Sequence, residues 1–306
     1  MVAYVARRIL MLIPILVCIT LVSFFILQAI PGDPARVIAG IDAREDQVQV
    51  IRHELGLDKP IYVQYGIFLK NVIQLNFGQS IRSKDDVIKQ VWPRFKKTLL
   101  LAVASIAISI TIGILAGVIA STKQNTALDY IISVTFLLGI SAPTFWIGLL
   151  LMLFFSVWAG WFPAGGIDSM SSIVLPAVTL AAPSTAVTAR MTRASMLEVL
   201  RMDYIKTARA KGQREVKVVF KHALKNALMP TVTVVGIQFG FLMGGSVLVE
   251  TVFSWPGLGW LVVDAIFAKD YPVVQACVMF FAFSFVLANL AVDILYTYIN
   301  PRVTYD

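Results

Sequence analysis

Six stretches of the chain are long and almost uninterruptedly apolar, near 9–30, 98–121, 130–158, 173–190, 228–250 and 273–299. A helix needs about 20 apolar residues to cross a bilayer. The pattern therefore predicts an all-α polytopic membrane protein with six transmembrane helices. The first run follows Arg7 and Arg8, as the apolar core of a secretory leader would. It is too long for such a core, and Pro31-Gly32-Asp33-Pro34 follows it in place of a small-residue cleavage site. It reads as a retained helix.

The division of the chain follows from these runs. Residues 1–30 form an N-terminal transmembrane helix, 31–97 a polar segment, 98–299 the core of the bundle, and 300–306 a tail. Within the core, 190–227 is a basic loop. It holds ten lysines and arginines against three carboxylates, so +7 of the net charge of +8 sits there. Short basic loops stay on the cytoplasmic side. That rule places this loop, Arg7, Arg8 and both termini inside, and 31–97 outside. Arg94, Lys96 and Lys97 run against the rule, but long segments cross largely regardless of charge. Asp33-Pro34 reads as a helix cap with proline at the first helical position, and 45–55 as a short amphipathic helix ending at Gly56. The outer segment is thus a small folded cap. Trp158, Trp161 and Phe162 close the third run as an aromatic interface belt would.

Composition sharpens the class. Of 306 residues, 58% are hydrophobic and 14% charged, with a mean hydropathy of +0.78. These values exclude a disordered chain, a collagen-like fibre and an ordinary soluble enzyme. The two cysteines, Cys18 and Cys277, rule out a disulfide framework or a four-ligand zinc site and read as apolar fillers. The two histidines, His53 and His222, lie outside the apolar runs, which removes intramembrane Ser–His or His-Glu-x-x-His chemistry. There is no phosphate-binding G-x-x-x-x-G-K-[ST] loop. No carboxylate lies mid-membrane to couple transport to an ion gradient. An enzyme or an ion-coupled carrier is therefore the alternative class that the sequence disfavours, and no internal duplication supports a carrier.

Small and polar residues within the runs are the remaining candidates. Gly236, Gly240 and Gly244 fall four apart in the fifth run, and Gly113 and Gly117 repeat the spacing in the second. Such spacing lets helix backbones approach closely, either for packing or as a moving seam. Glu250, at the outer end of the fifth run, reads as a helix-end partner or an outer gate. Asp293, one turn after Asn289, reads as a structural hydrogen-bonding group. Ser141, Thr144, Gln238 and Ser246 are candidates for a polar path, with bundle packing as the plainer reading.

The basic loop carries the most information. Good helix formers run from Glu198 to Lys211 and end at Gly212, a natural residue for a helix C-terminus. The stretch 214–227 is helical again, and Pro230 is expected to open the fifth span. Two short helices therefore meet at a glycine. Ala208 and Ala210 leave a small surface flanked by basic side chains, suited either to another protein or to anionic lipid.

This loop resembles the "EAA" coupling motif of permease subunits in ATP-binding-cassette importers, E-A-A, three residues, G, nine residues, I-x-L-P. Ala208, Gly212 and Leu224 match. Lys206 stands for the glutamate, Thr207 for the first alanine, His222 for the isoleucine and Lys225 for the proline. The run Thr207-Ala208-Arg209-Ala210-Lys211-Gly212 with His222-Ala223-Leu224-Lys225-Asn226-Ala227 is similar to the variant of the peptide branch. Also similar are Pro31-Gly32-Asp33-Pro34, Val249-Glu250-Thr251-Val252-Phe253 with Trp255-Pro256-Gly257-Leu258-Gly259, Asp270-Tyr271-Pro272, and Val292-Asp293 with Ile299-Asn300-Pro301-Arg302. The set spans the chain and resembles the first permease of dipeptide, oligopeptide, glutathione and nickel importers.

The resemblance implies the type I importer permease fold in a bacterial cell (inner) membrane. It implies a second permease, two ATPases and an extracytoplasmic binding protein as partners. This chain is then not an enzyme and holds no cofactor or metal; ATP and magnesium belong to the ATPases. Arg201, Asp203, Tyr204, Thr207, Ala208, Arg209, Ala210, Lys211 and Gly212 would form the ATPase-coupling helix. The expected cargo is a di- or oligopeptide, with glutathione or a nickel chelate as alternatives.

Overall fold

The computed structural model describes residues 2–28, 34–39, 43–54 and 56–299. Among them the chain is almost entirely helical, with no strand and one isolated antiparallel bridge between Gln79 and Asp86. The helices are α1 (Val2–Gln28), α2 (Pro34–Ala39), α3 (Glu45–Glu54), α4 (Ile61–Ile73) and α5 (Val87–Thr122). Then come α6 (Ala127–Ser141), α7 (Thr144–Leu151), α8 (Val174–Val199) and α9 (Asp203–Ala210). The last are α10 (Glu215–Lys217), α11 (Leu224–Val252), α12 (Leu258–Phe267) and α13 (Tyr271–Ile299). A π-helical stretch, Met152–Trp158, extends α7, and another, Val218–Ala223, joins α10 to α11. A single 3₁₀ turn, Met170–Ile173, leads into α8.

Four of these segments are long and apolar enough to cross a membrane: Val87–Thr122, Met170–Val199, Glu215–Val252 and Tyr271–Val292. The third apolar run is not one straight helix. It is α6 and α7 with its extension, bent by 111°. The cause is Pro143: a proline pushes the preceding residue out of the helical region, and Ala142 sits extended at φ −80, ψ 137. Counting that pair as one span gives five. The first run is α1, whose apolar part is the shorter Leu10–Phe25. Length and composition alone thus yield four or five spans rather than six.

Pro230 does not open the fifth span. It lies inside α11, which starts at Leu224 and continues from α10. Membrane helices tolerate an internal proline because neighbouring groups satisfy the carbonyl it frees. The short helix of the polar segment falls where expected, as α3, and Pro34 opens α2. Asp33, Asn300, Pro301 and Arg302 lie outside the described residues, as do the side chains of Arg7 and Asp293.

The chain divides into two compact units, each discontinuous in sequence. The first contains Leu99–Trp255 and the stretch from Leu287. Its central element is α8, which packs against α6, α7 and α11. The buried residues of α8 are mostly small, among them Ala177, Thr179, Ala181, Thr185, Ala186, Thr188, Ala189 and Thr192, with Leu175, Leu180, Met196 and Val199 as the larger ones. Lipid tails are as apolar as leucine, so helices in a bilayer gain little from hydrophobic burial and hold together by close packing and interhelical hydrogen bonds. Both are present. A Cβ on Gly117 would lie 2.6 Å from the Thr192 Cβ and 2.7 Å from the Ala189 carbonyl oxygen, and one on Gly113 2.8 Å from Thr188. Ser109 and Thr188 hydroxyls meet at 3.3 Å, and Thr192 and Thr231 at 3.4 Å. Arg193 grips Asp129 with Nε and Nη2, each at 2.7 Å, tying α8 to the start of α6. Leu115, Ile119, Leu137, Leu138 and Leu149 are exposed, as lipid-facing residues would be.

The second unit contains Val2–Thr98 and Pro256–Val286. Helix α4 packs on α1 through Tyr65, whose hydroxyl meets that of Thr20 at 2.8 Å, and through the rings of Phe24, Tyr65 and Phe68. Gln275 donates its amide to the Ser23 carbonyl at 3.0 Å. The buried Asp270 carboxylate accepts from the Ser80 hydroxyl, from the Ile81 amide at 3.1 Å and from the Arg82 amide at 3.4 Å. Arg82 also bonds Asp264 at 3.1 Å. Arg94 and Lys96 lie over the rings of Trp260 and Trp92, at 4.9 and 5.4 Å.

The α5–α8 approach makes a sharp prediction. Replacing Gly117 with alanine forces a methyl into the Thr192–Ala189 backbone region and should destabilise the protein by about 1–3 kcal/mol. The same change at Gly244, where an added Cβ meets nothing within 4 Å, should leave the thermal midpoint nearly unchanged. Equal midpoints for G117A and G244A in detergent would show that the close approach does not hold the unit.

Candidate functional site

Helix α8 ends at Val199, and α9 begins at Asp203 after an extended Met202 (φ −70, ψ 149). Asp203 lies in the first turn of α9, where the helix dipole favours an acid. Lys206, one turn on, bonds it at 2.8 Å, and this ammonium holds the Asp203 carboxyl below the usual carboxylate range. The Thr207 hydroxyl donates to the Asp203 carbonyl at 2.9 Å. Ile205 and Ala208, three apart, turn inward and are buried among Val118, Met196, Val199, Val218, Val219 and Ala223. Ala208 therefore belongs to the core of the unit rather than to an outer surface. Ala210 is exposed.

The end of α9 is closed by a Schellman motif. The Gly212 amide donates to the Arg209 carbonyl at 2.9 Å and the Gln213 amide to the Ala208 carbonyl at 3.4 Å. Gly212 adopts φ +72, the left-handed region that glycine enters without a Cβ penalty. The turn sends the chain back along α9, and three side-chain contacts then fasten the two arms. Arg209 forks onto Glu215, with Nη2 to Oε1 at 2.6 Å and Nε to Oε2 at 3.1 Å. Gln213 and His222 meet at 2.8 Å, and Asn226 donates to the Tyr204 hydroxyl at 2.8 Å.

The expected coupling residues thus separate into two sets. Tyr204, Ala208, Arg209 and Gly212 make the contacts and the turn that hold the helix, though only Ala208 is buried. Arg201, Asp203, Thr207, Ala210 and Lys211 are exposed without bracing the two arms, together with Lys206 and the apolar Met202, Val216 and Phe220. Ile205 and Glu215 are structural members that the linear motif did not single out, and His222 and Asn226, quoted in it, take a bracing role that it did not give them. The three-residue spacing of Ile205 and Ala208 was the available signal for the first. The others become neighbours only once the glycine turn folds.

The membrane candidates are scattered. Gly236 is buried and an added Cβ would lie 2.2 Å from a Val292 methyl, so it is a packing glycine. Gly240 is buried as well, whereas Gly244 faces open space. Glu250 is fully buried near the end of α11, and its carbonyl accepts from the Trp255 amide at 2.8 Å. Ser246 is buried with its hydroxyl on the Met243 carbonyl. Ser141 and Thr144 flank the bend between α6 and α7, the former bonding the Leu137 carbonyl. Gln238 differs from all of these: its amide nitrogen is buried and has no hydrogen-bond partner among the described residues.

The anchoring of α9 can be apportioned by mutation. Ile205→Ala removes a fully buried side chain and should cost about 2–5 kcal/mol. Glu215→Gln, at an exposed pair, should cost under about 1 kcal/mol. Thermal unfolding of both variants checks this, and a larger loss for E215Q than for I205A would reverse the assignment.

Comparison with known proteins agrees with this architecture. Residues 109–305 match the family of binding-protein-dependent transport system inner membrane components, and residues 1–102 match the N-terminal region of the same membrane components. The glutathione transport system permease protein GsiC of Escherichia coli K12 is 46% identical over 305 residues, 100% of both chains. The protein of that name in Shigella flexneri serotype 5b is 45% identical over the same coverage. Among solved structures, the inward-facing MetNI methionine ABC transporter superposes with a TM-score of 0.59 at 21% identity, over 70% of this chain and 97% of that one. An amino acid ABC transporter crystallised with histidines gives 0.52 at 17%, over 69% and 92%. These two likenesses concern the fold. The chain belongs to the family of binding-protein-dependent transport system inner membrane components: it is a multi-pass permease subunit of an ATP-binding-cassette importer, with ATP hydrolysis left to a separate subunit.

Proposed function

We propose that this permease pairs with a second one to import glutathione or other small peptides, and that α9 is the helix through which a cytoplasmic ATPase drives it. The observation that supports the coupling role is the fastening of α9 by Arg209–Glu215 and Tyr204–Asn226, with Gln213–His222 bracing the turn that follows it. A helix so fastened passes a displacement to α8 and α11 instead of absorbing it. Its outer face carries the charged Asp203 and Lys206, and the adjoining segments expose Met202, Val216 and Phe220. Exposed apolar side chains among charged ones suit a protein partner.

The orientation rests on charge: the +7 loop and the termini lie in the cytoplasm, and residues 31–97 face outward, toward a binding protein. The six spans are then α1, α5, the bent α6–α7 pair, α8, α11 and α13. ATP binding brings the two ATPases together, their coupling helices follow, and the paired permeases rock from inward-open to outward-open as rigid bodies. A peptide backbone needs polar groups along its path, and the unpartnered Gln238 amide on α11 is the foremost candidate. Glutathione takes precedence over longer peptides because the full-length relatives are glutathione permeases. A nickel chelate is the remaining alternative.

Two experiments test this. The complete importer, reconstituted with its binding protein, should show ATPase activity and uptake stimulated by glutathione. Stimulation by dipeptides alone would reassign the cargo, and stimulation by neither would refute the peptide reading. For the coupling role, Gly212 separates strain from fit. An added Cβ there meets no atom within 4 Å, so Gly212→Ala adds only backbone strain, about 1–2 kcal/mol. Gly212→Leu adds bulk against the ATPase. Uptake should fall at least about tenfold further in G212L than in G212A, with the complex still assembled. Equal activity in the two variants would remove the turn from the ATPase interface.

A further inference from the structure

A groove of about 260 Å³ opens in the first unit between α5, α6 and α8. Its wall is apolar, with Ala120 from α5 and Ile132, Phe136 and Leu137 from α6. Two arginines on one turn of α8, Arg190 and Arg193, also line it. Their electrostatic situations differ. Arg193 is engaged through Nε and Nη2 by the Asp129 carboxylate, which also accepts from the Asn125 amide at 3.0 Å. That pair neutralises itself and leaves the Arg193 Nη1 without a hydrogen bond among the described residues. Arg190 is exposed and has no carboxylate partner among the described residues. The groove therefore presents one uncompensated guanidinium and one spare donor group beside an apolar stripe.

We propose that this groove holds a phospholipid with an anionic headgroup. Its phosphate lies on Arg190 and on Nη1 of Arg193, and an acyl chain lies along Ile132, Phe136 and Leu137. The guanidinium accounts for the phosphate, and the surroundings favour a lipid over a soluble anion. A guanidinium gives phosphate a bidentate pair of charge-assisted hydrogen bonds. A soluble anion has no use for the leucine and phenylalanine wall, whereas an acyl chain does. Arg190 opens the basic stretch 190–227 and lies in the last third of the span Met170–Val199, and basic pockets between transmembrane helices suit acidic headgroups. The site is independent of the cargo and of α9, so it stands or falls separately from the proposed function.

The test uses the intact importer, purified, stripped of lipid and titrated with phosphatidylglycerol or phosphatidylcholine, with bound lipid counted by native mass spectrometry. The wild type should bind phosphatidylglycerol in preference to phosphatidylcholine. Arg190→Gln should weaken phosphatidylglycerol binding roughly five- to tenfold, with Arg190→Lys intermediate. Lys221→Gln, which removes an exposed charge elsewhere in the basic loop, should leave it unchanged. Equal binding of the two lipids by the wild type would overturn the proposal, as would equal phosphatidylglycerol binding by R190Q and wild type. Displacement of the lipid by inorganic phosphate or by glutathione would assign the arginines to a soluble anion and overturn it too. If R190Q failed to assemble, the preference of the wild type and the response of R190K would still decide.

Discussion

Close backbone approach at α8 is the constraint on which the first unit depends. In a bilayer, a leucine facing another helix and a leucine facing lipid are nearly equivalent, so large apolar side chains cannot by themselves select one packing. Selection comes from surfaces that fit only one way. On α5, Gly113 and Gly117 leave room for Thr188, Thr192 and the Ala189 carbonyl of α8, with no space for a methyl between. The Ser109–Thr188 and Thr192–Thr231 hydroxyl pairs then fix the register on two sides. The Asp129–Arg193 fork fixes the third. Removing one member of a largely buried ion pair leaves an uncompensated charge, which costs far more than the intact pair contributes. The fork thus acts mainly against misplacement of α6.

The position of α9 inherits this order. Only a short turn separates it from α8, and its inward residues Ile205 and Ala208 share a core with Val118 of α5 and Met196 and Val199 of α8. Magnitudes separate holding from aiming. Burying one isoleucine contributes about 1.5–3 kcal/mol. An exposed pair such as Arg209–Glu215 contributes between nothing and about 1 kcal/mol. The apolar contact therefore holds α9 against the bundle, while the polar fastenings determine its angle to the arm that continues into α11.

Much of this was legible in the sequence, for identifiable reasons. Apolar runs located the membrane helices because burial in lipid demands length and composition, both of which are linear properties. Gly212 announced the turn because only a residue without Cβ enters that conformation cheaply. The bend at Ala142-Pro143 was missed because the residues on both sides are equally apolar, so hydropathy is blind to a change of direction; the local signal was the proline. Pro230 misled in the opposite sense, since a proline that would start a helix in water can lie within one in a membrane. Asp270 carried no visible role beyond its place in a motif, because its partners Ser80, Ile81 and Arg82 lie about 190 residues earlier. Contacts of that separation exist only after folding.

The basic loop had two readings from its sequence, a surface laid on anionic lipid or a docking element, and the direction of its apolar face bears on both. A helix that lies on a membrane turns its apolar side to the acyl chains. The apolar side of α9 is Ile205 and Ala208, and both are consumed in the protein core. What α9 turns outward is mainly polar: Asp203 with Lys206 one turn on, then Thr207 and the small Ala210, with Lys211 just beyond its end. The lysine standing where the general motif has glutamate is thus already engaged within its own helix. Arg209 is likewise engaged by Glu215, while Arg201 before the helix and Lys211 and Arg214 after it are exposed. A polar outer face on a firmly anchored helix, with exposed positive charge before and after it, is a poor membrane anchor. The docking role proposed for it would bring an acidic protein surface to these charges before the exposed Met202, Val216 and Phe220 were covered.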